Sequence, residues 1–334
     1  MSTVTSPPAA AAPTTPKTTG GLSATGVTAV VLSLLGWTTI PLFLRQFSHW
    51  QIDAWTTNGW RYAISAIIWG PALVWAWRVG RLPAGVFRAA VVPSFWNAAA
   101  QVCFGLAPYY IEPGLMTFSL RLQIVFLAVA AALMFPAERR VLKNPLFLAA
   151  LLLTLVATMS TVALSPKGLG TAQFTGVLLA IGSGVGYAMY ALAVRKHMTG
   201  MNPILAFAAV SQYTAAALVS CMFLFAPGHG AAVLNFQGTP EASQALMWSC
   251  LVASSLVGIG LGHTFYFYAI ARIGLVVAAG VIQLQPITVS IASMFLFNER
   301  MTTAQWTTGL VAVAGAVSML IVQHRVLTLS KRTS

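Results

Sequence analysis

Acidic side chains are almost missing from this sequence. Five of its 334 residues are acidic, and charged residues of both signs make up 7% of the chain, against roughly 25% in a soluble domain. All five acids fall in loops or at the ends of apolar stretches: Asp53, Glu112, Glu138, Glu241 and Glu299. The composition therefore excludes an ordinary soluble protein. The lack of a mid-membrane carboxylate also argues against proton or sodium coupling, because such carriers usually need that group.

Cysteine is scarce as well. Cys103, Cys221 and Cys250 are odd in number and have no metal-ligand spacing, which excludes a disulfide framework and a zinc site. The sequence also contains no HExxH motif, no paired membrane carboxylates and no Cys/His pair at a useful spacing. We therefore expect no catalytic residue, no metal and no cofactor, and we disfavour an intramembrane enzyme.

Long apolar runs dominate what is present: 58% of the residues are hydrophobic. Ten segments approach the roughly 20 residues that a membrane-spanning helix needs. They lie at about 26–44, 57–77, 89–110, 115–135, 145–165, 173–194, 203–226, 246–270, 275–297 and 305–323. Residues 1–25, rich in Pro, Thr, Ala and Ser, predict a disordered tail, and residues 324–334 form a second tail.

The net charge of +13 would suggest nucleic acid as the partner of a soluble protein, but here it indicates topology. With the N-terminus inside, the inner segments hold 13 of the 18 basic residues, while the outer loops hold Arg45, Lys167 and Arg300. This bias predicts ten helices with both termini in the cytoplasm. The expected partners are a lipid bilayer and a small-molecule substrate, with no nucleic acid; the oligomeric state stays open.

The two halves of the chain resemble each other. Residues 26–45 align with 176–195 at a spacing of 150, with Gly26, Ser33, Gly36 and Arg45 each meeting the same residue type, and Trp37 faces Tyr187. Five helices per half is an odd number, so the second half must enter the membrane in the opposite sense. We predict an all-α membrane protein of two inverted five-helix repeats, 26–165 and 173–323.

The stretch 274–300 reads GLVVAAGVIQLQPITVSIASMFLFNER and carries Gln283, Gln285 and Pro286 near mid-depth. Unpaired amides in hydrocarbon cost several kcal/mol each, so this helix should face protein or water. A weaker copy lies earlier: Gln123 matches Gln283 at a spacing of 160.

These features resemble the EamA-like family of the drug/metabolite transporter superfamily. The proline-bearing helix ends in FLFNER and is followed by TTGLVAVAGAVSML, with Gly309 and Gly315 at the family's small positions. The first half departs from this pattern, since it has no proline in place of Pro286 and has Leu148 and Thr154 instead of the two glycines. The resemblance implies ten helices and export of amino acids or other small metabolites. The short loops and the lack of a transit peptide fit a bacterial inner membrane.

Arg121 and Arg61 are basic residues inside predicted helices. A buried arginine is costly in a membrane and suggests function, and its fork of donors suits a substrate carboxylate. Alternatively, each could extend to the outer headgroups or pair with Glu112 or Asp53.

Gln123, Gln283 and Gln285 could bind a polar solute, because an amide both donates and accepts hydrogen bonds. Interhelical bonds that only hold the bundle together are the alternative. His263 is the mid-membrane side chain whose unperturbed pKa lies near neutral pH, so it is the candidate for a proton-linked step. It could equally be a histidine bonded to a neighbouring helix.

Trp37 and Tyr187 could line the substrate cavity, although core packing is the competing interpretation. Pro286 removes a backbone hydrogen bond and could act as a gate or a passive bend. A small-solute exporter, working by exchange or facilitated efflux, is the leading hypothesis. A cationic drug exporter is the alternative, disfavoured because no buried carboxylate is available. A channel or a scaffold stays open.

Overall fold

The computed structural model describes residues 23–136, 139–166, 170–240 and 242–332. These residues fold into helices joined mostly by short loops, with a longer connection between Phe225 and Gln244. In chain order the helices are α1 Ala24–His49, α2 Ala54–Arg78, α3 Val86–Leu106, α4 Pro113–Leu120, α5 Gln123–Met134, α6 Arg139–Leu142, α7 Pro145–Ala163, α8 Thr171–His197, α9 Pro203–Phe225, α10 Gln244–Ala253, α11 Gly262–Ile273, α12 Leu275–Ile282, α13 Gln285–Phe297 and α14 Thr303–Arg332.

Nine helical segments in the described part of the chain are long and apolar enough to cross a membrane. Three of them combine shorter helices: α4 with α5, α10 with α11, and α12 with α13. Helix α2, with 25 residues, is not among the nine. It carries Asn58, Arg61 and five tryptophans, which lower its hydropathy. The prediction of an all-helical membrane protein is confirmed, with nine candidate spans.

Asparagine-proline pairs begin two of the spanning helices. Oδ1 of Asn144 accepts hydrogen bonds from the backbone N–H groups of Leu146 and Phe147 at 2.9 and 3.2 Å, which caps α7. Asn202 caps α9 in the same way. Proline at the first helical position lacks only an N–H that would have no partner there. These caps fix where each helix enters the bundle.

Large apolar side chains cover the outside of the bundle. Ile67, Leu133, Leu224 and Phe295 are each more than 70% exposed, at 74, 72, 74 and 77%. Water would penalise such a surface, whereas lipid does not. Small and hydroxylated residues are buried instead, including Ser33, Thr57, Thr158 and Ser183. This arrangement is typical of membrane bundles, where small residues let helices approach closely.

Two helices are broken near their centres. Helix α4 has eight residues, and the two-residue turn Arg121–Leu122 separates it from α5. Helix α12 also has eight residues, and the turn Gln283–Leu284 separates it from α13. The two breaks therefore correspond at a spacing of 162, so Arg121 matches Gln283 and Gln123 matches Gln285. The glutamine pairing at 160 read from the sequence is displaced by two residues.

The second break has a covalent cause. Pro286 is the second residue of α13 and has no N–H to offer the Ile282 carbonyl four residues earlier. The first break has no proline but has the same tight turn: the Arg121 N–H donates to carbonyls of α4, as the Gln283 N–H donates to carbonyls of α12. The proline thus lies at a real interruption of the helix, as the sequence indicated.

A π-helical stretch, Ser254–Leu261, joins α10 to α11. The sequence predicted one regular helix at 246–270. Gly258 and Gly260 remove side chains from this stretch, and a Cβ at Gly258 would lie 2.3 Å from Cγ1 of Ile40 in α1. The wider coil places α1 directly against the backbone. Such stretches are common at functional sites.

The helices pack across the two halves of the chain. The principal pairs are α3 with α8, α2 with α9, α7 with α14, and α1 with α11. Glycines allow several of these contacts: a Cβ at Gly186 of α8 would lie 2.8 Å from Cβ of Ala100 in α3. Neither half could fold this way alone, since each of these pairs joins residues 24–163 to residues 171–332.

Most helix ends lie within a few residues of their predicted positions. The last helix differs, because α14 continues to Arg332 rather than ending near residue 323. Most of the tail predicted at 1–25 falls outside the described residues, as do Lys167, Glu138 and Glu241.

Candidate functional site

The two helix breaks meet at the centre of the bundle. Arg121 is the first residue of its turn, and its Nη2 donates a hydrogen bond to Oε1 of Gln285, the first residue of α13. Nε2 of Gln285 donates in turn to the backbone carbonyl of Trp37 in α1, at 2.7 Å. Gln285 therefore links the first break to the second and to α1. Gln285 thus forms interhelical hydrogen bonds, which is the alternative role that the sequence suggested for the glutamines.

Two polar atoms in this region are buried without a partner. Nε of Arg121 and Oε1 of Gln283 make no hydrogen bond to any described residue, and Gln283 is only 8% exposed. A buried polar group without a partner costs about 1–3 kcal/mol, and more when it is charged. Both atoms lie in the matching turns, one a donor and one an acceptor. These two atoms are therefore available to form hydrogen bonds with a bound solute.

Aromatic rings form a wall beside these groups. The Trp37 ring lies 5.1 Å from the ring of His263 and 5.0 Å from that of Tyr266, centroid to centroid. The hydroxyl of Tyr266 is close enough to Arg121 for an electrostatic interaction. Gly262 leaves space for Trp37, because a Cβ there would lie 2.6 Å from the indole Nε1. The wall therefore adjoins the guanidinium.

His263 packs between aromatic rings, with Phe207 of α9 at 4.6 Å on its other side. It makes no hydrogen bond within the described part of the chain. Among the described residues, His263 therefore has no hydrogen-bond partner on a neighbouring helix. Its role in proton coupling stays a prediction.

Arg61 is a second buried guanidinium, 1% exposed on α2. Nε donates to Oγ of Ser254 in the π-helical stretch at 3.1 Å, and Nη1 approaches Oδ1 of Asn58 at 3.5 Å. Asp53, one suggested partner, instead caps α2 through Thr56. Among the described residues, no carboxylate lies within salt-bridge distance of Arg61 or Arg121.

The structure does not bring every predicted residue to this cluster. Tyr187 contacts Phe104 at 6.1 Å between ring centroids, within a core shared by α1, α3, α4 and α8. Gln123 begins α5 beside Gly184 of α8, and its side chain makes no hydrogen bond to the described residues. Arg121, Gln283, Gln285, Trp37 and His263 lie on the elements that meet at the breaks.

Sequence analysis missed Ser254, Asn58 and the linking role of Gln285. Ser254 holds Arg61 only because the π-helical stretch directs it toward α2. Three glycines in five residues, Gly258, Gly260 and Gly262, were the pattern that could have suggested an irregular helix there. Asn58 also donates to the carbonyl of Gln101 in α3 at 2.7 Å.

An ion pair closes one end of the bundle. Nη2 of Arg45, at the end of α1, lies 2.6 Å from Oε1 of Glu299, which follows α13. Nη1 of Arg45 donates to the carbonyl of Pro108 at 2.8 Å, and Oγ of Ser293 donates to Oε2 of Glu299 at 2.5 Å. The pair therefore joins α1, the segment after α3, and α13. It borders a surface depression that also includes His49 and Arg300.

The described residues contain no group of three or more His, Cys, Asp or Glu side chains that could hold a metal ion. Comparison with known proteins identifies the second half: residues 174–321 match the model of the EamA-like transporter family. The chain carries an EamA-like transporter domain. This family is part of the drug/metabolite transporter superfamily, so the resemblance read from the FLFNER segment is confirmed. The matched residues therefore resemble a membrane transporter domain of this superfamily.

The likeness of fold to known structures extends beyond the matched residues 174–321. A solved crystal structure, described only as that of a protein, aligns with a TM-score of 0.60 at 18% identity. The alignment covers 90% of this chain and 98% of the other, which is a likeness of fold alone. A search of curated proteins finds no match.

Proposed function

We propose that this EamA-like protein exports small polar metabolites, amino acids among them, by alternating access between two inverted halves. The meeting of the two helix breaks carries the proposal. Broken helices in transporters form the substrate site near the bilayer midplane. Arg121 is the ninth residue of the span Pro113–Met134, which places it about 12 Å from one end at 1.5 Å per residue.

Repeated contacts support two equivalent halves. A Cβ at Gly26 would lie 2.6 Å from Cγ2 of Ile273, and a Cβ at Gly176 would lie 2.6 Å from Cγ2 of Ile111. The glycines differ by 150 and the isoleucines by 162, the spacings of the two matching helix pairs. Such paired contacts are expected of a duplicated unit. In this proposal α2 is the tenth spanning helix.

The orientation follows the charge bias of the loops, which favours a cytoplasmic location for both termini. The apolar outer surface and short loops fit a bacterial inner membrane. Pro286, at the interruption between α12 and α13, is the proposed gate.

Exchange or facilitated efflux is the proposed mode, because the described spanning helices contain no acidic residue. Gln283, Gln285, Arg121, Trp37 and His263 contribute the central site. Gln123 and Tyr187 occupy the matching positions of the other half and complete it when the bundle opens to the opposite side.

Efflux from proteoliposomes tests the function. Purified protein is reconstituted, and the vesicles are loaded with labelled amino acids or organic acids. We expect saturable efflux that rises when unlabelled solute is supplied outside. Efflux that increases linearly with concentration would indicate a channel, and efflux of a cationic dye alone would favour the drug exporter.

Coupling is tested in the same vesicles with an imposed pH gradient. We expect no accumulation against the solute gradient. Accumulation that is lost in His263→Ala would make His263 a proton carrier, and accumulation that survives this substitution would contradict exchange or facilitated efflux.

A further inference from the structure

We propose that the central site selects organic acids of net negative charge, with Arg121 binding the carboxylate and Gln283 accepting a hydrogen bond from a neighbouring hydroxyl of the solute. This inference rests on the proposed transport function and names the substrate class of the same site.

The charge balance of the bundle is the first argument. Arg61 and Arg121 lie inside the bundle, and no carboxylate within the described residues pairs with either. An ion that leaves water without a counter-charge pays a penalty of several kcal/mol. A zwitterion brings no net charge to offset this penalty, and an ammonium cation increases it. An anionic solute offsets it.

The free hydrogen-bonding atoms are the second argument. One terminal nitrogen of Arg121 already binds Gln285, which fixes the orientation of the guanidinium. Its buried Nε has no partner and can donate to a carboxylate oxygen. Oε1 of Gln283 has no partner either, and as an acceptor it requires an O–H or N–H group. A carboxylate beside a hydroxyl meets both requirements at a net charge of −1.

The aromatic wall suggests what the rest of the solute is. The Trp37 ring lies 5.1 Å from the His263 ring and 5.0 Å from the Tyr266 ring, centroid to centroid. Tyr266 also interacts electrostatically with the Arg121 guanidinium. Planar apolar groups stack well on such rings. The proposed class is therefore a hydroxy acid with an aromatic or similarly planar side group.

Three probes that share a phenylethyl group test this charge selectivity: 3-phenyllactate, phenylalanine and phenethylamine, of net charge −1, 0 and +1. Binding to the purified full-length protein is measured from the concentration dependence of the melting temperature. We expect phenyllactate to bind at least tenfold more tightly than phenylalanine and phenethylamine not to bind.

Variants assign the selectivity to its residues. Arg121→Gln should weaken phenyllactate binding at least tenfold, whereas Arg88→Gln, an exposed residue with the same change of net charge, should not. Gln283→Glu adds a carboxylate in the turn that precedes Gln285, the partner of Arg121, and should reverse the order, so that phenethylamine binds best. Gln285→Ala removes the link between the breaks but leaves the charge, so it should lower stability without reversing the order.

The outcomes separate this inference from the proposed function. Phenylalanine binding as tightly as phenyllactate, or an unchanged order in Arg121→Gln, would overturn the anion selectivity and leave an amino acid exporter in place. If the reconstituted protein binds phenyllactate in the expected order but moves no solute, the selectivity stands and the transport function fails.

Discussion

Individual buried charges set the character of this protein. Arg121 and Arg61 lie among hydroxyls, amides and rings rather than carboxylates. A buried arginine of this kind makes a doubtful contribution to stability, because its Coulombic compensation is missing. An arginine in such a place is therefore better explained by function than by folding. The two roles can be separated experimentally.

Replacing Arg61 with methionine tests this separation. Replacement of buried ion pairs by apolar side chains of similar size is often neutral or stabilising by about 1–4 kcal/mol, and Arg61 has no carboxylate partner to lose among the described residues. Ser254 keeps its own bond to the carbonyl of Leu251 at 2.8 Å. We therefore expect the melting temperature of Arg61→Met to stay the same or rise while transport falls.

Arg45→Met is the matched control, since it leaves Glu299, 9% exposed, without its cation. That variant should melt several degrees lower, because a group left unpaired pays its full desolvation cost. A large loss of stability in Arg61→Met would contradict the view that Arg61 contributes little to folding, and it would indicate a counter-charge near α2.

At the scale of elements, the two broken helices are the parts most suited to movement. A turn of two residues interrupts each helix after eight residues. Only the second turn is enforced by proline, so the two interruptions differ in stiffness. An interruption that changes shape during transport needs this freedom.

Pro286→Ala restores an N–H that can bond to the Ile282 carbonyl. We expect α12 and α13 to join into a straighter helix, with a higher melting temperature and slower exchange of solute. Binding, measured by thermal shift, should change less than the exchange rate does, because the side chains of Arg121, Gln283 and Gln285 are all retained.

Pro71→Ala is the control, since Pro71 lies inside α2 on an exposed face. It should leave the exchange rate unchanged. Equal rates in Pro286→Ala and the native protein would show that the interruption is passive.

The Arg45–Glu299 pair is an inter-element contact that can be measured directly. Its atoms are mostly buried, with side chains 18% and 9% exposed. A double-mutant cycle of Arg45→Gln and Glu299→Gln should give a coupling energy of about 0.5–3 kcal/mol in unfolding. A coupling energy near zero would mean that the pair does not hold α1 against α13.

The whole molecule depends on the opposed orientation of its halves. Residues 139–143 and residue 300 follow equivalent helices, so an inverted arrangement puts them on opposite faces of the membrane. Single cysteines test this after Cys103, Cys221 and Cys250 are replaced. In intact cells, a thiol reagent that cannot cross the membrane should label Arg300→Cys and not Lys143→Cys. Labelling of both would contradict the inverted repeat.

The helices could be predicted from the sequence because, in lipid, the length and apolarity of a segment are enough to specify a spanning helix. Helix ends at Pro145 and Pro203 could be read from Asn-Pro pairs. The candidate residues Arg121, Gln283 and Gln285 could be named because polar groups stand out in apolar helices. Their relation could not be read, since the match at 160 puts the glutamines together and the structure offsets them by two residues.

The sequence by itself determined that the chain lies in a membrane, which segments are helical, and that no acid lies within them. These properties follow from composition and from local backbone hydrogen bonding, which need no distant contact. The tertiary structure decided that Arg121 reaches Gln285, that Gln283 and the Arg121 Nε stay unpartnered, and that Ser254 reaches Arg61. Such contacts join residues more than 160 positions apart, so only the packing of whole helices can specify them.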